Sequence, residues 1–243
     1  MGILRAIVKR IPVLRFLFSA SGNSYPSHES KSTEDVFTEI YRSNGFGGTT
    51  SVSGPGSDIA QTRIVVSELR ALLNDLNIST VLDIPCGDFQ WMNNVDLHDI
   101  DYTGADIVKE LVLSNGAKYA RDGIRFRSLD LIKDKLPRVD LIFCRDCLVH
   151  FSNREALSAL RNICGSRSGY LLTTTFTDRK LNHDIVTGQW RPLNLQVAPF
   201  LFLKPLRVIN EQCSEGGGVW GDKSLALWKI EDIRDHLSRN LIR

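Results

Sequence analysis

The stretch VLDIPCGDFQWM, residues 81–92, decides how this chain is read. An apolar run enters Asp83, a turn follows, and Gly87 stands where a backbone can approach a ligand closely. That is the pattern of a strand feeding a ligand-binding loop in an open parallel sheet. Two residues depart from the glycine-rich form of such loops: Pro85 and Phe89 stand where glycines are expected. Proline has no N–H and holds φ at roughly −65°, so the loop loses one donor and one flexible point. Phe89 is expected to begin a helix, with Asp88 as its cap.

Strands and helices alternate outward from this loop. After STVLDI, the runs DYTGADI (101–107), GIRFRSLD (123–130), VDLIFC (139–144) and GYLLTTTF (169–176) read as strands. VKELVLSNGAKYA and NREALSALRNIC between them read as helices, the second capped by Ser152 or Asn153. Upstream, EDVFTEIYRSN is helical in pattern. A glycine-rich run (45–57) leads to a helix capped by Ser57 or Asp58, with Ile59, Ile64, Val65, Leu69, Leu72 and Leu73 on its apolar stripe; that helix is expected to end near Asn77. The tail breaks the alternation. LKPLRVINEQC and DKSLALWKI flank a glycine turn, the signature of an antiparallel hairpin, and EDIRDHLSRN closes the chain as a short helix. The expected fold is α/β: a Rossmann-like, doubly wound sheet, mostly parallel, finished by an antiparallel C-terminal hairpin.

The chain has 243 residues, 42% apolar and 24% charged, with a net charge of +2. This is a soluble globular balance, and it points away from nucleic acid as a partner. Five cysteines fit a reducing compartment, hence a cytoplasmic location, better than a disulfide framework. Cys144 and Cys147 form a CxxC with no second pair, and they read as structural cysteines beside a strand, with no metal. Residues 1–20 carry Arg5, Lys9, Arg10 and Arg15, no acid, and apolar residues at helical spacing interrupted by Pro12. Charges break that run too often for a bilayer span or a signal peptide. Two readings stand for it: peripheral membrane contact through a basic amphipathic segment, or a plain extension. The organisation is therefore a basic segment and polar linker over 1–33, then one domain over 34–243 with an insertion at about 178–205.

The ligand follows from the loop chemistry. Asp106 follows Gly87 by the spacing that lets an acid meet ribose hydroxyls, which fits either a dinucleotide or an adenosyl sulfonium. A pyrophosphate needs the GxGxxG triplet, and PCGDFQ does not supply it. Asp83 and Asp88 add negative charge, which suits a sulfonium and an amino group.

With those residues in view, the chain from about residue 58 resembles the class I S-adenosylmethionine-dependent methyltransferases. VLDIPCGDF is similar to the family's first motif, with Asp83, Pro85, Cys86, Gly87 and Asp88 at its positions. The resemblance implies S-adenosylmethionine as cofactor, Asp106 and its neighbour Ile107 at the ribose, and Asp130 and Leu131 of SLDL flanking the adenine. VDLIFCRDCLVHFSN resembles the fourth-strand motif and its loop, bringing in Arg145 as a cofactor contact and His150.

An oxygen acceptor needs a base, and the candidates are His150, Asp146 and His183. His150 packing beneath the adenine, and Asp146 pairing with Arg145, are the competing structural readings. In the insertion, Trp190, Arg191 and Asn194 are candidate substrate contacts; an aromatic with Arg, Asn and His nearby suits a sugar or glycan precursor. The competing reading of the insertion is a lid or a dimer contact. The glycine-rich run is expected to cover the cofactor, with Ser53 and Ser57 near its carboxylate. The function expected is methyl transfer to a small-molecule acceptor, oxygen slightly preferred to nitrogen. The alternatives are a non-catalytic scaffold on the same fold, a protein methyltransferase, and a nicotinamide-dependent enzyme, which the missing triplet disfavours.

Overall fold

The computed structural model describes residues 31–240. The basic segment expected over residues 1–20 lies outside them. Seven strands form one sheet: β1 (Thr80–Asp83), β2 (Asp101–Asp106), β3 (Ile124–Ser128), β4 (Leu141–Cys144), β5 (Tyr170–Phe176), β6 (Arg207–Asn210) and β7 (Lys223–Lys229). Their order is β3-β2-β1-β4-β5-β7-β6. The first five run parallel, whereas β7 is antiparallel to both β5 and β6. The expected doubly wound sheet and its C-terminal hairpin are both present. Strand order reverses between β1 and β4, which opens a crevice at their carboxyl ends.

Alternation along β1 shows why these runs form strands buried on both faces. Leu82 faces a core shared with α4 (Asn153–Gly165) and α5 (Ile230–Asn240), through Ala156, Leu160, Ile163 and Ile233. Val81 points the other way, to Val65, Leu69, Leu72 and Leu73 of α2 (Ile59–Asp75). Local chemistry sets helix starts. Ser32 and Asp35 form a reciprocal capping box at α1 (Thr33–Arg42), and Ser152 caps α4 by accepting from the Glu155 N–H at 3.2 Å.

One expected element is missing. No helix begins at Phe89: residues 84–100 cross from β1 to β2 as turns and a single 3₁₀ turn, Met92–Asn94. Phe89 takes φ 59° and is fully buried, its ring 5.1–5.3 Å from those of Tyr102, Tyr119 and Phe126. Phe89, Trp91, Met92, Val95 and Leu97 cover this face of the sheet, as the apolar stripe of a helix would. Asp88, the expected cap, instead accepts from the Gln90 N–H at 3.3 Å and from the Val52 N–H at 3.1 Å. It ties the β1 loop to the glycine-rich run. Among the described residues no helix is long and apolar enough to cross a membrane.

Candidate functional site

The strands lose their ladder partners just where the site begins. β3 stops at Ser128, so Leu129, Asp130 and Leu131 bend away over the crevice, and Arg145 and Asp146 leave β4 in the same manner. With the β1 loop they border a cleft of about 1030 Å³ of non-atom space, its open mouth included. Asp83, Pro85, Cys86, Gly87, Ile107, Val108, Asp130, Leu131, Arg145, Asp146 and His150 all line it. So do Ser53 and Ser57 of the glycine-rich run, as expected, together with Thr33, Phe37 and Tyr41 from one face of α1.

Gly87 lies in the turn of the β1 loop. Its φ is 55°, its N–H donates to Asp106 at 3.2 Å, and its carbonyl accepts from Asn115 at 2.7 Å. Asn115 sits on α3 (Lys109–Tyr119). Asp106 itself does not line the cleft. Its other oxygen accepts the Val108 N–H at 3.0 Å, so it joins the β1 loop to the start of α3. An ionised carboxylate has about four lone-pair sites, so capacity for further donors remains.

Electrostatics divides the acids into two kinds. Asp83 is buried at the end of β1 and accepts from the Tyr102 hydroxyl; burial pushes its pKa up to about 8 against that bond, and the Asp106 charge adds to the rise. Burial lifts Asp106 to about 6, opposed by the N–H groups of Val108, Gly87 and Ile107. Asp146 is the reverse case. Burial acts to raise it, yet Lys223 at 2.6 Å and Arg145 at 3.3 Å hold it down to about 2.

These values sort the candidate bases. Asp146 stays ionised, locked in a buried network with Arg145, Lys223 and Glu211, and is a poor proton acceptor. The expected Arg145–Asp146 pair is real, but Arg145 also grips Glu211 at 2.7 Å and the Gly56 carbonyl at 2.8 Å. His183 is exposed and away from the cleft, which removes it as a base. His150 is half-buried on the cleft wall, and burial lowers its pKa to about 4, so it is neutral at physiological pH. Its Nδ1 lies 3.0 Å from the Gln189 carbonyl, and the Phe46 ring lies tilted against it with centroids 4.6 Å apart.

The three expected substrate contacts lie elsewhere. Trp190 packs against Trp220 at 4.8 Å and Phe176 at 5.9 Å. Arg191 is buried on the carbonyls of Leu148 and Val149, both at 3.1 Å. Asn194 donates to the Arg179 carbonyl at 2.8 Å. Each satisfies the insertion's own framework, and none lines the cleft. Phe37, Tyr41 and Phe46, which do line the cleft, come from upstream of the core. Phe37 and Tyr41 share one signal in sequence, the i, i+4, i+8 spacing with Thr33 that puts them on one helical face; Phe46 lies beyond that helix and has none. Cys144 and Cys147 are buried and free, and no group of three or more metal-ligating side chains occurs among the described residues.

Solved structures share this architecture. The chain is similar to a 1,6-didemethyltoxoflavin N1-methyltransferase of Burkholderia thailandensis with bound 1,6-didemethyltoxoflavin and S-adenosylhomocysteine, with a TM-score of 0.60 and 17% identity over 86% of this chain and 92% of that one. The fold is the methyltransferase fold. The [4+2]-cyclase SpnF matches at 0.55 and 16% identity, over 85% and 97% of the two chains. Human N-acetylserotonin methyltransferase, solved in complex with SAM, matches at 0.53 and 16%, over 87% of this chain and 63% of that one. No family model and no curated protein matches by sequence. Within the methyltransferase fold, Asp83 and Asp130 on this cleft fit a cationic adenosyl ligand. The loop offers no glycine triplet to a pyrophosphate.

Proposed function

We propose that the protein is an S-adenosylmethionine-dependent methyltransferase acting on a small molecule. The observation that carries the reading is the cleft at the β1/β4 order reversal, with Asp83, Asp130 and the Gly87 backbone on one wall. When bound, the cofactor supplies an activated methyl group, so the protein's task is alignment and exclusion of water. Asp106, behind the wall, holds the Gly87 loop to the start of α3, and Asp130 borders the adenine end. Ser53 and Ser57 stand at the methionine end. His150, neutral and on the wall, is the base for an oxygen acceptor, and its lowered pKa makes it a weak one that suits an acidic hydroxyl.

The sugar expectation rested on Trp190, Arg191 and Asn194, which are committed elsewhere. Phe37, Tyr41 and Phe46 close over the His150 end, and their rings favour a flat, largely apolar acceptor. The test is calorimetric titration of the full chain with S-adenosylmethionine, S-adenosylhomocysteine and NAD. Micromolar binding of the first two and none of the third supports the reading. Binding of none by a folded chain moves the weight to a scaffold on the same fold. Given an acceptor, His150→Gln is expected to lower kcat about 10²- to 10⁴-fold with cofactor affinity unchanged.

A further inference from the structure

The insertion sits away from the cleft, yet it touches the turn of the wall that carries His150. The turn Leu148–His150 offers three carbonyls, and the insertion donates to each. Gly188 N–H reaches the His150 carbonyl at 2.9 Å and Arg191 N–H the Val149 carbonyl at 3.1 Å. The Arg191 guanidinium reaches the Leu148 and Val149 carbonyls at 3.1 Å and the Asn153 side chain at 2.9 Å. Arg191 is 4% exposed, so a buried cation is held here by hydrogen bonds to carbonyls and an amide, with the Asp184 charge acting from beyond ion-pair distance. That is a costly way to support a turn, and a neutral donor would serve if support were all that was needed.

The same segment decides the state of the imidazole. A carbonyl can only accept, so the 3.0 Å contact between Gln189 O and His150 Nδ1 requires the proton on Nδ1. Nε2 is then the bare nitrogen of a side chain that lines the cleft. Gly188 fixes the approach of this segment to α1: its φ is 97°, and a Cβ there would stand 2.6 Å from Val36 Cγ1.

We infer that the insertion is a clamp that sets the tautomer and aim of His150, with Arg191 as its positioning residue. The inference rests on the methyl-transfer reading. The acceptor's proton passes to Nε2, giving an imidazolium, while the acceptor's lone pair bonds to the methyl carbon and the carbon–sulfur electron pair returns to the sulfonium sulfur. The charges acting on that imidazole are Asp146, which favours the cation, and Arg191 and Lys223, which oppose it.

The test is a long-range proton–nitrogen correlation spectrum of the labelled full chain at neutral pH, with the His150 ring assigned by its loss in His150→Gln. The wild type is expected to show the Nδ1–H tautomer. Arg191→Met is expected to lose that signature to a mixture or to Nε2–H, and Arg191→Lys to retain part of it, both with S-adenosylhomocysteine affinity unchanged. A wild-type His150 in the Nε2–H form overturns the inference, whether or not any variant folds. A folded Arg191→Met chain with the Nδ1–H signal intact overturns it as well. Failure of the wild type to bind either adenosyl ligand overturns the functional reading separately, and is read from the titration, not from the tautomer.

Discussion

The hydroxyl of Ser53 occupies the space that a side chain at Gly87 would need: an ideal Cβ there falls 2.3 Å from Ser53 Oγ. The same hydroxyl accepts the Asp88 N–H at 3.2 Å, so the glycine-rich run lies directly on the β1 loop. Gly87→Ala would have to push Ser53 away and also hold an unfavourable φ of 55°. We expect the variant to fold, and its affinity for S-adenosylhomocysteine to fall about tenfold or more, a loss of about 1.4 kcal/mol. Calorimetric titration measures it; unchanged affinity would mean that the run does not cover the ligand.

Asp83 gives the binding a pH dependence with a definite sign. Its pKa of about 8 means the carboxyl holds a proton at neutral pH. A cationic ligand favours the ionised form, so binding releases a proton, and affinity rises with pH until about 8, then levels. Titration at neutral pH in two buffers of different ionisation enthalpy reads the proton count. Asp83→Asn is expected to abolish the release.

The same group makes the ligand-free protein less stable as pH rises. The folded state binds the proton more tightly than the unfolded state, where the pKa is 3.8, so stability declines between about pH 4 and pH 8. Asp146 has the opposite sign at lower pH. Its folded value of about 2 lies below 3.8, so its stabilisation is complete above about pH 4 and is lost as pH falls toward 2. Denaturant midpoints across this range, in wild type and Asp83→Asn, separate the two: the decline between about pH 6 and pH 8 should flatten in the variant, while Asp106, at about 6, keeps its share below that.

Lys223→Met leaves Asp146 and Glu211 with Arg145 as their remaining cation in a buried setting. Removing one partner of a buried ion pair costs about 3–5 kcal/mol, and a loss of that order is expected in chemical denaturation. A loss below about 1 kcal/mol would show that water reaches the network and screens it.

The helix α1 is fastened to α3 by two exposed ion pairs, Glu34–Lys109 at 2.7 Å and Arg42–Glu110. Exposed pairs contribute about 0.2–1 kcal/mol each and are screened by salt. Since Thr33, Phe37 and Tyr41 of this helix line the cleft, raising the ionic strength should speed dissociation of a bound adenosyl ligand about threefold. Stopped-flow displacement in wild type and Lys109→Ala checks it, and the variant should show less of the salt effect.

Sequence determined the order of strands and helices, the parallel core with its antiparallel hairpin, and the residues of the β1 loop. These follow from short-range periodicity and from backbone rules that glycine and proline obey wherever they stand. Tertiary structure alone decided which polar side chains meet the cleft and which meet the protein. Arg191 and Asn194 have the composition of a substrate site but are consumed by backbone carbonyls many residues away, while Phe37 and Tyr41 reach the cleft from outside the expected core. It also decided that Phe89 closes a core where a helix was expected, because three aromatic rings from β2, α3 and β3 converge on it. A hydrogen-bonding group has the same letter whether its partner is a ligand or a carbonyl. Only the partner's position, set by packing between distant elements, distinguishes the two.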